Sequence, residues 1–161
     1  MNIFVLDKDP KLCSQYHCDK HVVKMILETA QLLCSVHHMT PQVTPQVPYK
    51  LSHKNHPCSI WVRECMENYI WLCDLGMELS KEYTYRYGKT HKSQQVIEWC
   101  IVNLPRLREN GDITPFALAM PEEYKVNCPV ESYRNYYKGA KISFANWKNR
   151  EIPEWFHLNL N

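Results

Sequence analysis

Five side chains on one stretch of the sequence have the types and the spacing to do chemistry: His17, Lys20, His21, Lys24 and Glu28. Their offsets from His17 are 3, 4, 7 and 11, and Gln31 at 14 continues the series, so on a helix they project along a single line. Val23, Ile26, Leu27 and Ala30 lie to one side, and Cys18, Val22, Met25, Thr29 and Leu32 to the other. A surface helix shows a broad polar face, so a narrow polar line between two apolar rows suits a groove. In a groove, His17 and His21 can share a proton, a phosphate or a metal ion. Lys20 and Lys24, next to imidazoles and partly desolvated, have the surroundings of amine nucleophiles. The alternative is a solvated stripe on a helix at the edge of the domain.

A second group, His53-Lys54-Asn55-His56-Pro57, precedes another helical pattern. Free backbone N–H groups at a helix start attract anions, and loop histidines there are placed to meet one. His53 and His56 with His17 and His21 also make a conceivable four-histidine metal set, although the pattern fixes no acidic ligand. The plainer reading is capping by Asn55 and one histidine.

Two segments interleave cations with aromatics, Lys81–Lys92 and Tyr133–Arg150. Cations hold phosphates and aromatic faces stack on unpaired bases, which points to DNA, RNA or a nucleotide. The candidate contacts are His53, Asn55, His56, Trp61, Arg63, Tyr85, Arg86, Tyr87, Lys89, Lys92, Arg134 and Lys138. Against this, many of the aromatics suit a core that the cations merely rim.

The elements that must position these groups are helical. Asp9-Pro10 is an N-cap followed by proline at the first helical position, opening a helix expected from Pro10 to His37. Asn55-His56-Pro57 opens a second, ending near Gly88; a third spans Ser93–Leu104, and a fourth Pro129–Trp147. Residues 2–6 read as a short extended segment, Thr40–Pro48 as an extended surface loop, residues 105–129 as a proline-studded connection, and the tail Ile152–Phe156 as docked on the body. The expected fold is all-α, a single compact domain over residues 1–161 with about four helices and long proline-rich loops.

Composition narrows the classes. With 161 residues, 45% hydrophobic and 22% charged, the chain has the balance of a globular domain and not of a disordered one. No run approaches the length of a membrane span, and the N-terminus lacks the basic start of a signal peptide. The eight cysteines contain no C-x-x-C pair and read as reduced thiols in a cytosol-like compartment. A net charge of +2 does not by itself require a nucleic-acid partner.

Two resemblances follow from these residues. Gln15–Glu28, His53–Trp61, Glu82–Lys89, Val130–Tyr137 and Pro153–Phe156 resemble a family of small proteins of tailed phages, especially marine myophages, over nearly the full length. The layout is also similar to the pyrimidine-dimer DNA glycosylase family of endonuclease V type. The shared features are an apolar start, a long first helix, an Asn-His-Pro loop, a Tyr/Arg-rich turn before Gly88, and Tyr136-Tyr137-Lys138-Gly139. That resemblance implies an all-α protein that binds damaged duplex DNA and joins an amine to the sugar as a Schiff base, helped by a glutamate. The family's amine is exposed by removal of the initiator methionine, whereas the bulk of Asn2 keeps Met1 in place; the family's Arg-Glu pair appears as Lys20-His21. The expectation is therefore a DNA glycosylase or glycosylase/lyase acting on a damaged or modified base. Lys20 or Lys24 supplies the amine, His17 or His21 the acid/base, and Glu28 the stabilising charge, while aromatics such as Trp61, Tyr85 or Tyr87 wedge or stack as the base is flipped out. The expected partner is DNA or a nucleotide, with no cofactor and no membrane, in the cytoplasm (the host cytosol for a phage protein); oligomeric state is left open. A non-catalytic nucleotide or nucleic-acid binder and a histidine-ligated metal hydrolase are the alternatives.

Overall fold

Seven α-helices make up the computed structural model, which describes residues 1–41 and 46–157. They are α1 (Pro10–Tyr16), α2 (Asp19–Met39), α3 (Pro57–Val62), α4 (Met66–Tyr87), α5 (Gln94–Val102), α6 (Pro129–Ala140) and α7 (Glu154–His157), with a 3-10 turn at Glu122–Tyr124. Among the described residues there is no strand, so the class is all-α. Residues 42–45 of the Thr40–Pro48 loop expectation lie outside the described residues. No helix among the described residues is long and apolar enough to cross a membrane.

The helix count exceeds the expected four because two long helices are each split by contacts from far along the chain, and the docked tail adds the short α7. The first breaks at His17 and Cys18, whose ψ angles of 132° and 162° are extended. There the Cys18 amide donates to the Tyr137 hydroxyl at 3.3 Å and the Asp19 amide to the Asn146 carbonyl at 2.7 Å. Partners from the C-terminal third thus satisfy amides at the start of α2, where no helical carbonyl is available. The second splits between Val62 and Met66, where Asn68 bonds the Trp61 carbonyl at 2.8 Å and pairs with Thr114. Local punctuation holds elsewhere. Asp9 and His56 cap α1 and α3, and Gly88, left-handed at φ 70°, ends α4. The last long helix stops at Ala140, short of Trp147, and a turn from Lys141 to Phe144 follows.

Helices α2 and α4 form the spine, with α1 packed on α4 and α5 on both. Residues 2–6 form no strand. Instead Ile3, Phe4, Val5 and Leu6 are threaded through the core, each at most 5% exposed. The tail docks as expected, with Trp155 against Tyr16 and Tyr137, and Phe156 against Trp147. All eight cysteines are free thiols, and every one but Cys128 is buried.

An ion cluster fastens the C-terminal loop to this spine. The Arg86 guanidinium donates to Glu82 at 2.8 Å, to Asp19 at 2.9 Å and to the Gln15 carbonyl at 3.0 Å. Arg150 donates twice to the same Glu82, and the Lys148 amide to Asp19. Burial alone would raise the Glu82 carboxyl, but hydrogen bonds from Arg150 and Arg86 outweigh it and hold the group below its usual range.

Candidate active site

The buried thread delivers the start of the chain to the side of α2. The main-chain amine of Met1 lies 2.8 Å from Glu28 Oε1, and Glu28 is 7% exposed. The pair sits in a pocket of about 170 Å³. Met1, Asn2 and Phe4 of the thread line it, with His21, Lys24, Met25 and Glu28 of α2, Tyr136 near the end of α6, and Lys141 just beyond. An amine, a carboxylate, two lysines and an aromatic wall therefore converge on one small opening.

His21 is stacked on Phe4, ring centroids 4.3 Å apart, and its Nδ1 is 2.6 Å from the Tyr137 hydroxyl. Burial, then the charges of His17, Lys141, Lys24 and Lys20, push its pKa down to about 3. Burial also holds the Tyr137 phenol far above its usual range. At neutral pH His21 is thus a neutral imidazole against a protonated phenol. Lys141 lies over the Tyr136 ring at 4.6 Å, where the ring face attracts its charge.

The helical line of candidates divides once the chain is folded. His21, Lys24 and Glu28 line the pocket. His17 does not: it faces inward, bonded through Nδ1 to the Cys13 carbonyl at 2.7 Å, and burial takes its pKa down to about 4. Lys20 is exposed and lies over Phe144 at 4.7 Å, outside the pocket lining. The carboxylate beside the amine is that of Glu28.

His56 caps α3 by accepting from the Cys58 amide at 3.1 Å, while Asn55 is exposed and His53 bonds Ser52. Burial, then the charges of the Met1 amine and His53, hold the His56 imidazole below its usual range, with Glu28 opposing. The four-histidine metal set is corrected by this geometry. Among the described residues no group of three or more His, Cys, Asp or Glu side chains is arranged to hold a metal ion. His17 turns into the core, His21 lines the pocket against Phe4 and Tyr137, and His53 and His56 stay on the loop.

Two nucleic-acid candidates prove to be interior. Trp61 is buried between Trp71 and Phe116, and Arg86 is consumed by the ion cluster. Arg63 ties down the Lys54 carbonyl, and Arg134 bonds the Leu6 carbonyl and holds the thread. Tyr85, Lys89 and Lys92 are exposed, and Tyr87 and Lys138 partly so. Two cation–aromatic pairs flank this surface, Lys148 over Tyr87 at 5.1 Å and Arg150 over Tyr85 at 4.1 Å.

Sequence reasoning missed the Met1 amine, Phe4, Tyr136 and Lys141 as parts of one site. The signal available was the apolar run right after the start of the chain, which has to be buried and so carries Met1 with it.

A family model described as pyrimidine dimer DNA glycosylase matches residues 1–95. No curated protein and no solved structure matches the chain. The matched stretch is more than half of the sequence and contains Met1, the whole polar line of α2 and the His56 loop. The similarity expected from the sequence is thereby shown, and with it a DNA-glycosylase-like function on damaged DNA: the protein belongs to the pyrimidine dimer DNA glycosylase family.

Proposed function

We propose that the protein is a DNA glycosylase/lyase whose nucleophile is the main-chain amine of Met1. The observation that carries this reading is the 2.8 Å contact between that amine and the buried Glu28 carboxylate. Glu28 accepts a proton from the ammonium, and the neutral amine attacks C1′ of the damaged nucleotide. The C1′–N bond breaks and the base leaves with the bonding electrons, taking up a proton. The sugar ring opens to leave an iminium between C1′ and the Met1 nitrogen. Loss of a proton from C2′ expels the 3′ phosphate, and water then releases the sugar fragment. Throughout, Glu28 balances positive charge where it develops, in a site shielded from solvent.

The other groups divide the remaining work. Lys24 and Lys141 at the pocket mouth hold phosphates beside the reacting sugar. Phe4 and Tyr136 give the sugar an apolar wall. A general base works best with a pKa near the operating pH. His21, pushed down to about 3, therefore serves as a neutral hydrogen-bonding group, and Glu28 handles the proton. Lys20 and Lys148, each set against an aromatic ring, extend the cationic surface along the strand.

Borohydride trapping tests this reading. Duplexes carrying a pyrimidine dimer or an abasic site are incubated with protein and reductant, and adducts are mapped by peptide mass. The expected adduct is on the Met1 nitrogen. An adduct on Lys20 or Lys24 would overturn the choice of amine. The absence of any adduct or base release would leave a phosphate-binding protein without this chemistry.

A further inference from the structure

The residue after the amine is held more firmly than its place near a chain end would suggest. Asn2 is 8% exposed, and both ends of its side-chain amide are engaged. Its Nδ2 donates to the Ala119 carbonyl at 2.8 Å. Its Oδ1 accepts from the Ile3 amide at 2.8 Å and from the Cys58 thiol at 3.6 Å. The Tyr133 hydroxyl, which donates to the Ala117 carbonyl at 2.6 Å, also lies 3.2 Å from that oxygen. The α3 helix, the 117–119 connection and α6 thus all meet on one small side chain.

A terminal residue has one covalent neighbour, and chain ends fray unless tied down. Catalysis by proximity tolerates little of this, since a misplacement of about 1 Å can cost about 100-fold in rate. We infer that Asn2 is the positioning residue of the site, fixing the peptide unit behind the nucleophile so that the Met1 amine stays on Glu28. The bulk of Asn2 has a second effect, because it keeps Met1 on the chain. Without Met1 the amine would start one residue further along the thread, about 3.8 Å away. Asn2 touches no reacting atom; it acts through the amine. This inference rests on the reading of Met1 as the nucleophile.

The test uses the full chain and two variants, Asn2→Leu and Tyr133→Phe. Leucine keeps the branched heavy-atom skeleton, removes every side-chain hydrogen bond and still keeps Met1, which intact mass verifies. Tyr133→Phe removes one side of the anchor and leaves the N-terminus untouched, so it serves even where Asn2→Leu does not fold. Three quantities are measured on a duplex with an abasic site: the single-turnover trapping rate, the Kd, and the thermal midpoint of the protein. The expected result is a trapping rate lowered about 100-fold in Asn2→Leu and about tenfold in Tyr133→Phe, with Kd unchanged within about twofold. Trapping by the wild type alongside equal rates in both variants would overturn the role of Asn2 and leave the nucleophile standing. A loss of binding as large as the loss of rate would also overturn it, because that marks a structural role. Failure of the wild type to trap at all would refute the nucleophile itself.

Discussion

Replacing Arg86 by methionine separates two readings of the same residue. As a surface cation in a tyrosine-rich run, Arg86 would contact phosphate. In the folded protein its side chain is fully buried and each of its three nitrogens is engaged, on Glu82, Asp19 and the Gln15 carbonyl. Methionine leaves Glu82 with Arg150 and Asp19 with only the Lys148 amide. Removing one member of a buried charge network costs about 3–5 kcal/mol. For a chain of this size each kcal/mol moves Tm by about 2–4 °C, which gives a fall of roughly 6–20 °C. A phosphate-contacting surface arginine would behave differently. Its loss changes stability by no more than about 0.5 kcal/mol and lowers the salt dependence of DNA binding by about 0.9 in log–log slope. Calorimetry and a salt titration of duplex binding, run well below the new Tm, read both quantities. The expected outcome is a large drop in Tm with the salt slope unchanged. A Tm within about 2 °C of wild type, together with a slope reduced by one phosphate contact, would refute the buried-network argument.

Three further outcomes follow from the site. Glu28→Gln keeps the shape at the amine and removes the charge; trapping is expected to slow by about 10²–10⁴-fold with duplex binding retained, and a change under about threefold in stopped-time trapping would remove Glu28 from the chemistry. Lys141→Ala is expected to weaken binding to all duplexes alike and to lower the salt slope by about 0.9, checked by fluorescence titration at several salt concentrations; an unchanged slope would take Lys141 off the phosphate path. Stability is expected to fall on acidification below the ordinary histidine range, because burial depresses His17 and His37 to about 4 and His21 to about 3 in the folded state. Between about pH 6.5 and those folded values the unfolded chain binds protons that the native one refuses, so each histidine removes about 1.4 kcal/mol per pH unit as pH falls. Urea midpoints at a series of pH values check this, and a flat profile through that window would contradict the burial of all three.

What was legible in the sequence was local. Asp9-Pro10, Pro57, Gly88 and Pro129 act through their own backbone dihedrals or caps, and each marks an element end in the structure. The break at His17 and Cys18 was not legible, because Tyr137 and Asn146 decide it from far along the chain. Glu28 stood out as a charge between apolar rows, and it does line the pocket. Its partner did not: the resemblance implies a terminal amine freed by loss of Met1, and with Met1 kept in place by Asn2 the expected amine passes to Lys20 or Lys24. Arg86 shows the same limit from the other side: its neighbours in sequence are tyrosines and cations, but its neighbours in space are two carboxylates and a carbonyl.

The anchoring of Asn2 has a consequence for how the molecule comes into being. Its bonds to Ala119 and Tyr133 span 117 and 131 residues. Asn2 is therefore among the last residues that can be placed, since contacts so distant in sequence must wait for most of the chain. A nascent or partly folded chain carries the amine but cannot hold it against Glu28. In refolding, helical signal should return before trapping competence does, because helices need only local contacts. On the proposed reading of the Met1 amine as nucleophile, completion of the fold is what places that amine on Glu28.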